Sequence, residues 1–252
     1  MSAIESDVVA EGRRLLDRAA EDGVPLRLLG GVAIRLRARV NVPRGLERDY
    51  QDLDFVTVRS GAGRVTTLLR AEGYGPHVAF NALHSNERML FFDDRNGRQV
   101  DVFVGGFRMS HKIPLEGRIE LEPDTLPLAE LLLTKLQIAE LNEKDVRDAL
   151  ALLHGHPVGS EDGDGVNADR IAHLCADDWG LWRTLVENLT ACRDLVDSYG
   201  LEAESRAVLE QRLSELLVRI DAEPKSRGWR LRAKIGDRKR WYELPEEVGG
   251  GP

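Results

Sequence analysis

The chain has few cysteines and no long apolar run. Its 252 residues include only two cysteines, Cys175 and Cys192, which are too few for a disulfide framework or a four-ligand zinc site and favour a reducing compartment. No apolar stretch approaches the roughly 18–20 residues that a membrane-spanning helix needs. The polar, acidic N-terminus does not fit a signal or transit peptide. These absences predict a soluble, cytoplasmic protein with no membrane partner.

Basic residues are outnumbered by acidic ones. The 35 Lys and Arg against 43 Asp and Glu give a net charge of −8, which argues against a protein that coats nucleic acid non-specifically. The segment 225–242 is the exception, because it carries eight basic residues, one acid and three aromatic rings. Such a tail can hold a polyanion by phosphate pairing and base stacking. It can equally be a solvated arm, or pack on the acidic body of its own chain.

Hydrophobic periodicity divides the chain into three parts. Residues 1–121 alternate helical and strand patterns, with strands expected near 26–29 and 52–58 and on either side of Asn96-Gly97, a strong hairpin signal. Residues 122–222 have helical periodicity, and residues 223–252 form the basic, aromatic tail. The predicted fold class is therefore α+β, with a mixed sheet and flanking helices followed by a helical domain.

Three aspartates interrupt the predicted strands. Asp52 and Asp54 are two residues apart, so the strand period directs both to one face, where they repel unless a cation lies between them. Asp101 interrupts the apolar run 100–104, in which an unpaired charge is costly. If the two strands are neighbours, three carboxylates converge and can hold two Mg²⁺ ions for phosphoryl transfer. Each acid alone also fits a solvated strand end.

A glycine pair is compatible with a phosphate-bearing ligand. Gly30-Gly31 follows a predicted strand and precedes a predicted helix that starts at Val32. Two glycines let the backbone approach a ligand, and a helix N-terminus offers N–H groups to an anion. The pair by itself also fits an ordinary turn.

Charged side chains in the predicted helical half could serve the same ligand. Lys135 lies on an otherwise apolar helix, so its ammonium must reach solvent or find an anion such as a triphosphate. Asp145 and Asp148 share one helix face. They can bond to Lys135, to Arg48 or to a substrate, or they can form plain surface pairs with their neighbours.

Together these motifs resemble the nucleotidyltransferase superfamily of the DNA polymerase β type. The stretch Arg48-Asp49-Tyr50-Gln51-Asp52-Leu53-Asp54 resembles the Arg-x-Thr-x-Asp-Leu-Asp motif of the AbiEii/AbiGii (MenT-like) toxin nucleotidyltransferases, with Tyr50 where that family commonly has Thr. Lys135 resembles their motif lysine, and residues 144–150 resemble their Lys-Asp-x-x-Asp-Leu motif. The likeness covers roughly residues 25–155.

The resemblance implies a nucleotidyltransferase domain that transfers a nucleoside monophosphate from an NTP, such as ATP, to an acceptor hydroxyl and releases pyrophosphate. It implies that two Mg²⁺ ions are held by Asp52, Asp54 and Asp101, that the nucleotide is bound by Gly30, Gly31, Arg48 and Lys135, and that the catalytic set is Asp52, Asp54, Asp101, Lys135, Asp145 and Asp148. A tRNA acceptor and a cognate antitoxin are the partners implied by the toxin likeness. A small-molecule acceptor, as in antibiotic nucleotidyltransferases, uses the same core. A third alternative is a non-catalytic nucleotide- or RNA-binding protein on the same scaffold.

Overall fold

The structure, a computed structural model, describes residues 4–38 and 42–244. In the N-terminal half, strands alternate with short helices, and the strands and the hairpin predicted from the sequence are confirmed. The elements in chain order are α1 (Val8–Glu21), β1 (Leu26–Leu29), α2 (Gly30–Arg37), β2 (Leu53–Thr57), α3 (Ala62–Ala71), β3 (Gly75–Pro76), α4 (Val78–His84), β4 (Arg88–Asp93), β5 (Arg98–Val104), β6 (Gly106–Arg108) and β7 (Lys112–Pro114).

Strands β1 to β5 form one mixed sheet over the described residues, in the order β1-β2-β5-β4-β3. β2 and β5 run parallel, whereas the other neighbouring pairs run antiparallel. The register sets Asp54 beside Leu29 on one side and beside Asp101 on the other. Residues that face each other across a ladder lie on the same side of the sheet. Asp54 and Asp101 therefore share one face.

Helix α1 packs on the opposite face. A Cβ built at Gly12 of α1 would lie 3.2 Å from a methyl group of Leu53 and 3.3 Å from one of Leu28. Only a residue without a side chain lets the helix approach the sheet this closely. Val32 of α2 lies 3.4 Å from the same Cβ, so α1 contacts α2 as well as the sheet.

The C-terminal half is mainly helical, as the periodicity predicts. Its elements are α5 (Leu128–Leu136), α6 (Glu143–Gly155), β8 (Val158–Gly159), β9 (Val166–Asn167), α7 (Ala168–Asp177), α8 (Trp179–Leu195), α9 (Ala203–Ala222) and α10 (Arg227–Ile235). The apolar pattern continues to Leu141, but α5 ends at Leu136. The reason is tertiary, because the Asn188 amide donates hydrogen bonds to the carbonyls of Leu136 and Ile138 and so replaces the next helical turn.

The sheet and the helices share one continuous apolar core. Backbone hydrogen bonds join Leu28 of β1 to Asp124 and Leu126, so the chain returns along the sheet edge before α5 begins. α2 packs against both α5 and α6. The expected domain limits at residues 121 and 222 stay predictions. Within the described ranges, none of the helices is long and apolar enough to cross a bilayer.

The basic tail packs on its own chain instead of extending as an arm, at least as far as residue 244. The Trp229 ring meets Trp182 edge-on at 5.1 Å, and the Trp241 ring meets Trp179 edge-on at 6.0 Å. Trp241 also donates from Nε1 to Thr184 Oγ1 at 3.1 Å. Six basic side chains of the tail remain exposed: Arg227, Arg230, Lys234, Arg238, Lys239 and Arg240. Tail residues 245–252 lie outside the described residues.

One buried acid ties α1 to the far edge of the sheet. Glu11 has 0% of its surface exposed. Its carboxylate accepts hydrogen bonds from Tyr74 Oη at 2.5 Å and from Arg14 Nε at 2.8 Å. Burial acts to raise the pKa of Glu11, but the Arg14 and Tyr74 donors outweigh it and hold that pKa below its usual value.

We predict that Glu11→Gln lowers the free energy of unfolding at pH 7 by about 2 kcal/mol, since buried bonds to a charged group are each worth about 1.5–3 kcal/mol. A lowered pKa stabilises the fold above the unfolded-state value of 4.5, and this contribution disappears as pH falls through the folded-state pKa. The difference between wild type and variant in urea denaturation should therefore shrink below pH 4.5. Asp17→Asn, an exposed acid on the same helix, is the control and should change little.

Candidate active site

The glycine pair forms the first two residues of α2, not a loop before it. Gly30 has a φ of +68°, a left-handed conformation that L side chains rarely adopt. A Cβ built there would collide with the Asp54 carboxyl group, with Cγ only 2.9 Å away. A Cβ at Gly31 would lie 2.8 Å from the Tyr50 ring and would collide with Arg48. The predicted start at Val32 is thus two residues late, because the glycines let the helix begin directly on Asp54.

The N-terminus of α2 lacks a side-chain cap. Its N-cap residue is Leu29, which makes no capping hydrogen bond. By contrast, Asp7 caps α1 and Asn142 caps α6. The first N–H groups of a helix without a cap are available to an anion, and the helix dipole favours negative charge there.

Two of the three predicted carboxylates lie side by side. Asp54 and Asp101 are register partners on the parallel strands β2 and β5. Asp52 precedes β2 by one residue, so it is not within a strand as the sequence suggested, and it is exposed. It accepts a hydrogen bond from the backbone N–H of Gln99 at 3.4 Å, at the start of β5. The three aspartates therefore occupy neighbouring positions at one end of two adjacent strands.

The surroundings of Asp54 disfavour its ionised form. Burial raises its pKa from 3.8 to about 7, and the neighbouring Asp101 charge adds to the effect. Lys135 and Arg88 act in the opposite direction, and Asp52 raises the pKa further. Among the described residues, no group donates a hydrogen bond to Asp54. A carboxyl group held in this way favours a proton or a cation.

Asp101, in contrast, already has partners that the sequence analysis missed. Arg88 Nε donates to Asp101 Oδ1 at 2.6 Å, and Gln99 Nε2 donates to Asp101 Oδ2 at 2.8 Å. Arg88 lies on β4, two residue pairs along from the Leu90–Asp101 pair and therefore on the same face. The hairpin signal could have identified it, because counting outward from Asn96-Gly97 sets Arg88 on the same face as Asp101.

A second charge network joins the glycine turn to the helical half. Arg48 forms a two-bond ion pair with Asp148, Nε to Oδ1 at 2.8 Å and Nη2 to Oδ2 at 2.6 Å. Its guanidinium also lies over the Tyr50 ring, 4.1 Å from the centroid. Asp148 is 1% exposed, so the pair is buried on the acid side. Arg48 is thereby fixed against Gly31.

Lys135 belongs to the same network. Its Nζ lies 2.8 Å from Asp148 Oδ2 and 3.1 Å from Asp145 Oδ1. Burial acts to lower the pKa of Lys135, but the Asp148 and Asp145 charges outweigh it, so its pKa lies above the usual value and the ammonium stays charged. The alternative that Lys135 merely reaches solvent, and that Asp145 and Asp148 form plain surface pairs, is wrong.

The structure thus brings most of the predicted residues into one continuous set of contacts. From the sheet outward, the set consists of Asp101, Asp54, Gly30, Gly31, Arg48, Asp148, Lys135 and Asp145. Asp52 lies at its edge. The face is acidic at the strands, whereas α2 and the two cations next to it attract anions.

The donor set fits Mg²⁺ only in part. Within residues 4–38 and 42–244, no group of three or more His, Cys, Asp or Glu side chains could hold a metal ion. Mg²⁺ is, however, commonly bound through one or two carboxylates together with substrate phosphates. Asp54, which lacks a hydrogen-bond donor, beside Asp101 supplies such a pair. The expectation of two ions held by Asp52, Asp54 and Asp101 stays a prediction.

Comparison with known proteins identifies no family for this chain. Neither a family model nor a curated protein matches the chain. The likeness to nucleotidyltransferases accordingly rests on the motifs quoted above.

We predict that Gly30→Ala lowers stability by clearly more than Gly97→Ala. Both positions have left-handed φ values, +68° and +64°, so both variants lose about 1–2 kcal/mol from backbone strain. Only the Cβ at Gly30 meets another group, the Asp54 carboxyl, since nothing lies within 4 Å of a Cβ at Gly97. Urea denaturation of the two variants measures the difference, and equal losses would mean that Gly30 does not pack on Asp54.

A pH dependence follows from the raised pKa of Asp54. An acid whose pKa rises from 3.8 in the unfolded chain to about 7 in the folded one costs stability as pH increases between these values. Asp54→Asn removes this cost, so the variant should gain relative to wild type by at least about 1 kcal/mol between pH 5 and pH 8. Thermal unfolding across this range, without divalent cations, tests it. A constant difference would contradict the raised pKa.

Proposed function

We propose that the chain is a Mg²⁺-dependent nucleotidyltransferase with a nucleotidyltransferase-type sheet, acting in the cytoplasm. It would transfer a nucleoside monophosphate from an NTP to an acceptor hydroxyl and release pyrophosphate. The observation that carries this proposal is the contact of Asp54 with two different features. It has the second carboxylate, Asp101, on one side, and the uncapped glycine turn of α2 on the other.

The glycine turn and its cations suit the triphosphate. The N–H groups at the uncapped start of α2, at Gly30 and Gly31, would donate to the phosphate oxygens. Arg48 is fixed beside them by Asp148, and Lys135 is held charged by the same acid. Groups oriented before the reaction stabilise charge that develops on the leaving pyrophosphate without a further cost of ordering.

The carboxylates suit the reacting end of the nucleotide. Asp54 and Asp101, with Asp52 at the edge, would hold Mg²⁺. When bound, Mg²⁺ supplies positive charge for the phosphate oxygens and for the attacking hydroxyl. Arg88 and Gln99 fix the orientation of the Asp101 carboxylate by one hydrogen bond to each of its oxygens.

The test is transfer from labelled nucleotide. Each α-³²P-labelled NTP is incubated with pure protein, Mg²⁺ and either total cellular RNA or a panel of small hydroxyl-bearing molecules, and pyrophosphate release is measured in parallel. We expect one NTP to label one acceptor class, and Asp54→Asn to reduce that transfer at least about 100-fold.

The matched control is Asp94→Asn, which removes an exposed aspartate of the hairpin turn that is outside the set of contacts described above. It should keep wild-type activity. Transfer that survives Asp54→Asn in a folded protein would refute the proposal. Mg²⁺-independent nucleotide binding without pyrophosphate release would favour the non-catalytic alternative.

A further inference from the structure

A cavity lies next to Arg88, the residue that binds Asp101. Its volume is about 230 Å³, and its lining includes Phe80, Arg88, Phe103 and Phe107. Arg88 connects it to the site, because the same guanidinium that bonds to Asp101 lies over the rings of Phe103, at 5.4 Å, and Phe80, at 5.8 Å. The cavity and the carboxylates are thus separated by one side chain.

The order of the strands indicates on which side of the reacting phosphorus atom the cavity lies. Along the sheet, the glycine turn after β1 comes first, then Asp54 on β2, Asp101 on β5 and Arg88 on β4. In a phosphoryl transfer the attacking and leaving oxygens lie roughly in line, on opposite sides of the phosphorus. With the triphosphate at the glycine turn, the attacking hydroxyl arrives from the β4 side. Phe80 and His84 of α4 and Arg88 of β4, which line the cavity, lie on that side.

The lining favours a flat ring. Phe80 stacks on His84 with the ring centroids 4.5 Å apart, and Phe103 packs against Phe107 at 4.6 Å. Drug-sized ligands occupy roughly 300–1,000 Å³, so a cavity of about 230 Å³ suits a single ring system. Its charged rim, with Lys112 and Glu116 among the lining residues, offers a donor and an acceptor to the edge of a heteroaromatic ring.

The tail forms the outer wall of this cavity. Glu243 and Leu244 line it. The backbone N–H of Glu243 donates to the Ser110 carbonyl at 2.9 Å, and its carboxylate lies 3.1 Å from Arg108. Arg240 is exposed and three residues away, which is at most about 10 Å along the chain. Positive charge for a phosphate attached to the ring is therefore close to the opening.

We propose that this cavity is the acceptor subsite, that it binds a heteroaromatic ring attached to a phosphate, and that Glu243 and Leu244 of the tail are part of its wall. The inference rests on the proposed function. The ring can come from a free nucleotide or from the unpaired end of a single-stranded nucleic acid. The two sources share the same ring and phosphate chemistry.

The first experiment measures binding without NTP or Mg²⁺. The probes are a nucleoside monophosphate, by calorimetry, and a fluorescein-labelled single-stranded RNA tetranucleotide, by anisotropy. Because stacking a base on an aromatic side chain is worth about 1–3 kcal/mol, Phe80→Ala should weaken binding about 10-fold. Phe80→Tyr, which keeps the ring, should bind as wild type does. Leu83→Ala is the matched control, since Leu83 lies on the same helix, is 79% exposed and does not line the cavity.

A variant in the tail separates the two sources. Arg240→Gln should weaken binding of the tetranucleotide and reduce its salt dependence if the acceptor is a nucleic-acid end. A loss of tetranucleotide affinity in Arg240→Gln that clearly exceeds the loss of mononucleotide affinity assigns the site to a strand end. An equal or larger loss of mononucleotide affinity assigns it to a free nucleotide. Both results support the ring site, whereas no binding of either probe, or binding that Phe80→Ala leaves unchanged, overturns it.

The second experiment separates this inference from the proposed function. With the acceptor found by the labelling assay, Phe80→Ala should raise the KM for acceptor about 10-fold and leave the affinity for a non-hydrolysable NTP unchanged. Unchanged KM in an active enzyme would refute the acceptor subsite alone. Loss of NTP affinity would also refute it, because the cavity would then hold the base of the NTP. Failure of the proposed function appears elsewhere, as absence of any transfer that depends on Asp54.

Discussion

Two carboxylates on adjacent parallel strands repel each other, and the arrangement around them offsets that repulsion. The register that aligns β2 with β5 sets Asp54 directly beside Asp101. Each neighbour reduces the cost in a different way: Arg88 and Gln99 bond to Asp101, whereas Lys135 and the positive end of α2 act on Asp54. The offset is incomplete, since the pKa of Asp54 remains raised to about 7. Repulsion between two neighbouring carboxylates that is only partly offset favours the binding of a cation.

Asp148 connects the helical half of the chain to the residues beside the sheet. One buried carboxylate binds both Arg48, which lies on the glycine turn, and Lys135, which acts on Asp54. With Asp145 on Lys135, the network consists of two cations and two carboxylates. Lys135 contacts both Asp148 and Asp145, and Asp145 lies in the first turn of α6. A displacement of α6 relative to α2 would therefore move both cations together.

Much of this site could be predicted from local sequence patterns, and the remainder depends on tertiary packing. Strand periodicity identifies the face of Asp52 and Asp54, and the apolar run around Asp101 identifies a buried strand. The glycine pair marks the start of a helix. Helix periodicity likewise sets Asp145 and Asp148 on one face. Arg88 was accessible in principle from the hairpin register. Helix α4 was not, since it is seven residues long, has no buried residue and exposes Val78 and Leu83, so no apolar period marks it. The end of α5 was equally hidden, because Asn188 fixes it from a distant helix.

The structure changes the interpretation of the tail, because it shows what the aromatic rings of the tail contact. Read as a free basic arm, its tryptophans are available to stack on bases, and its deletion should remove only an RNA contact. In the fold, Trp229 and Trp241 cover Trp182 and Trp179, and Glu243 bonds to the Ser110 carbonyl beside the cavity. Deleting residues 225–252 would therefore expose apolar rings and remove a wall of the cavity along with the charge. Substitution of single exposed arginines is the cleaner perturbation, because in this tail Trp229 and Trp241 pack on the body of the chain, whereas most of the basic side chains are exposed.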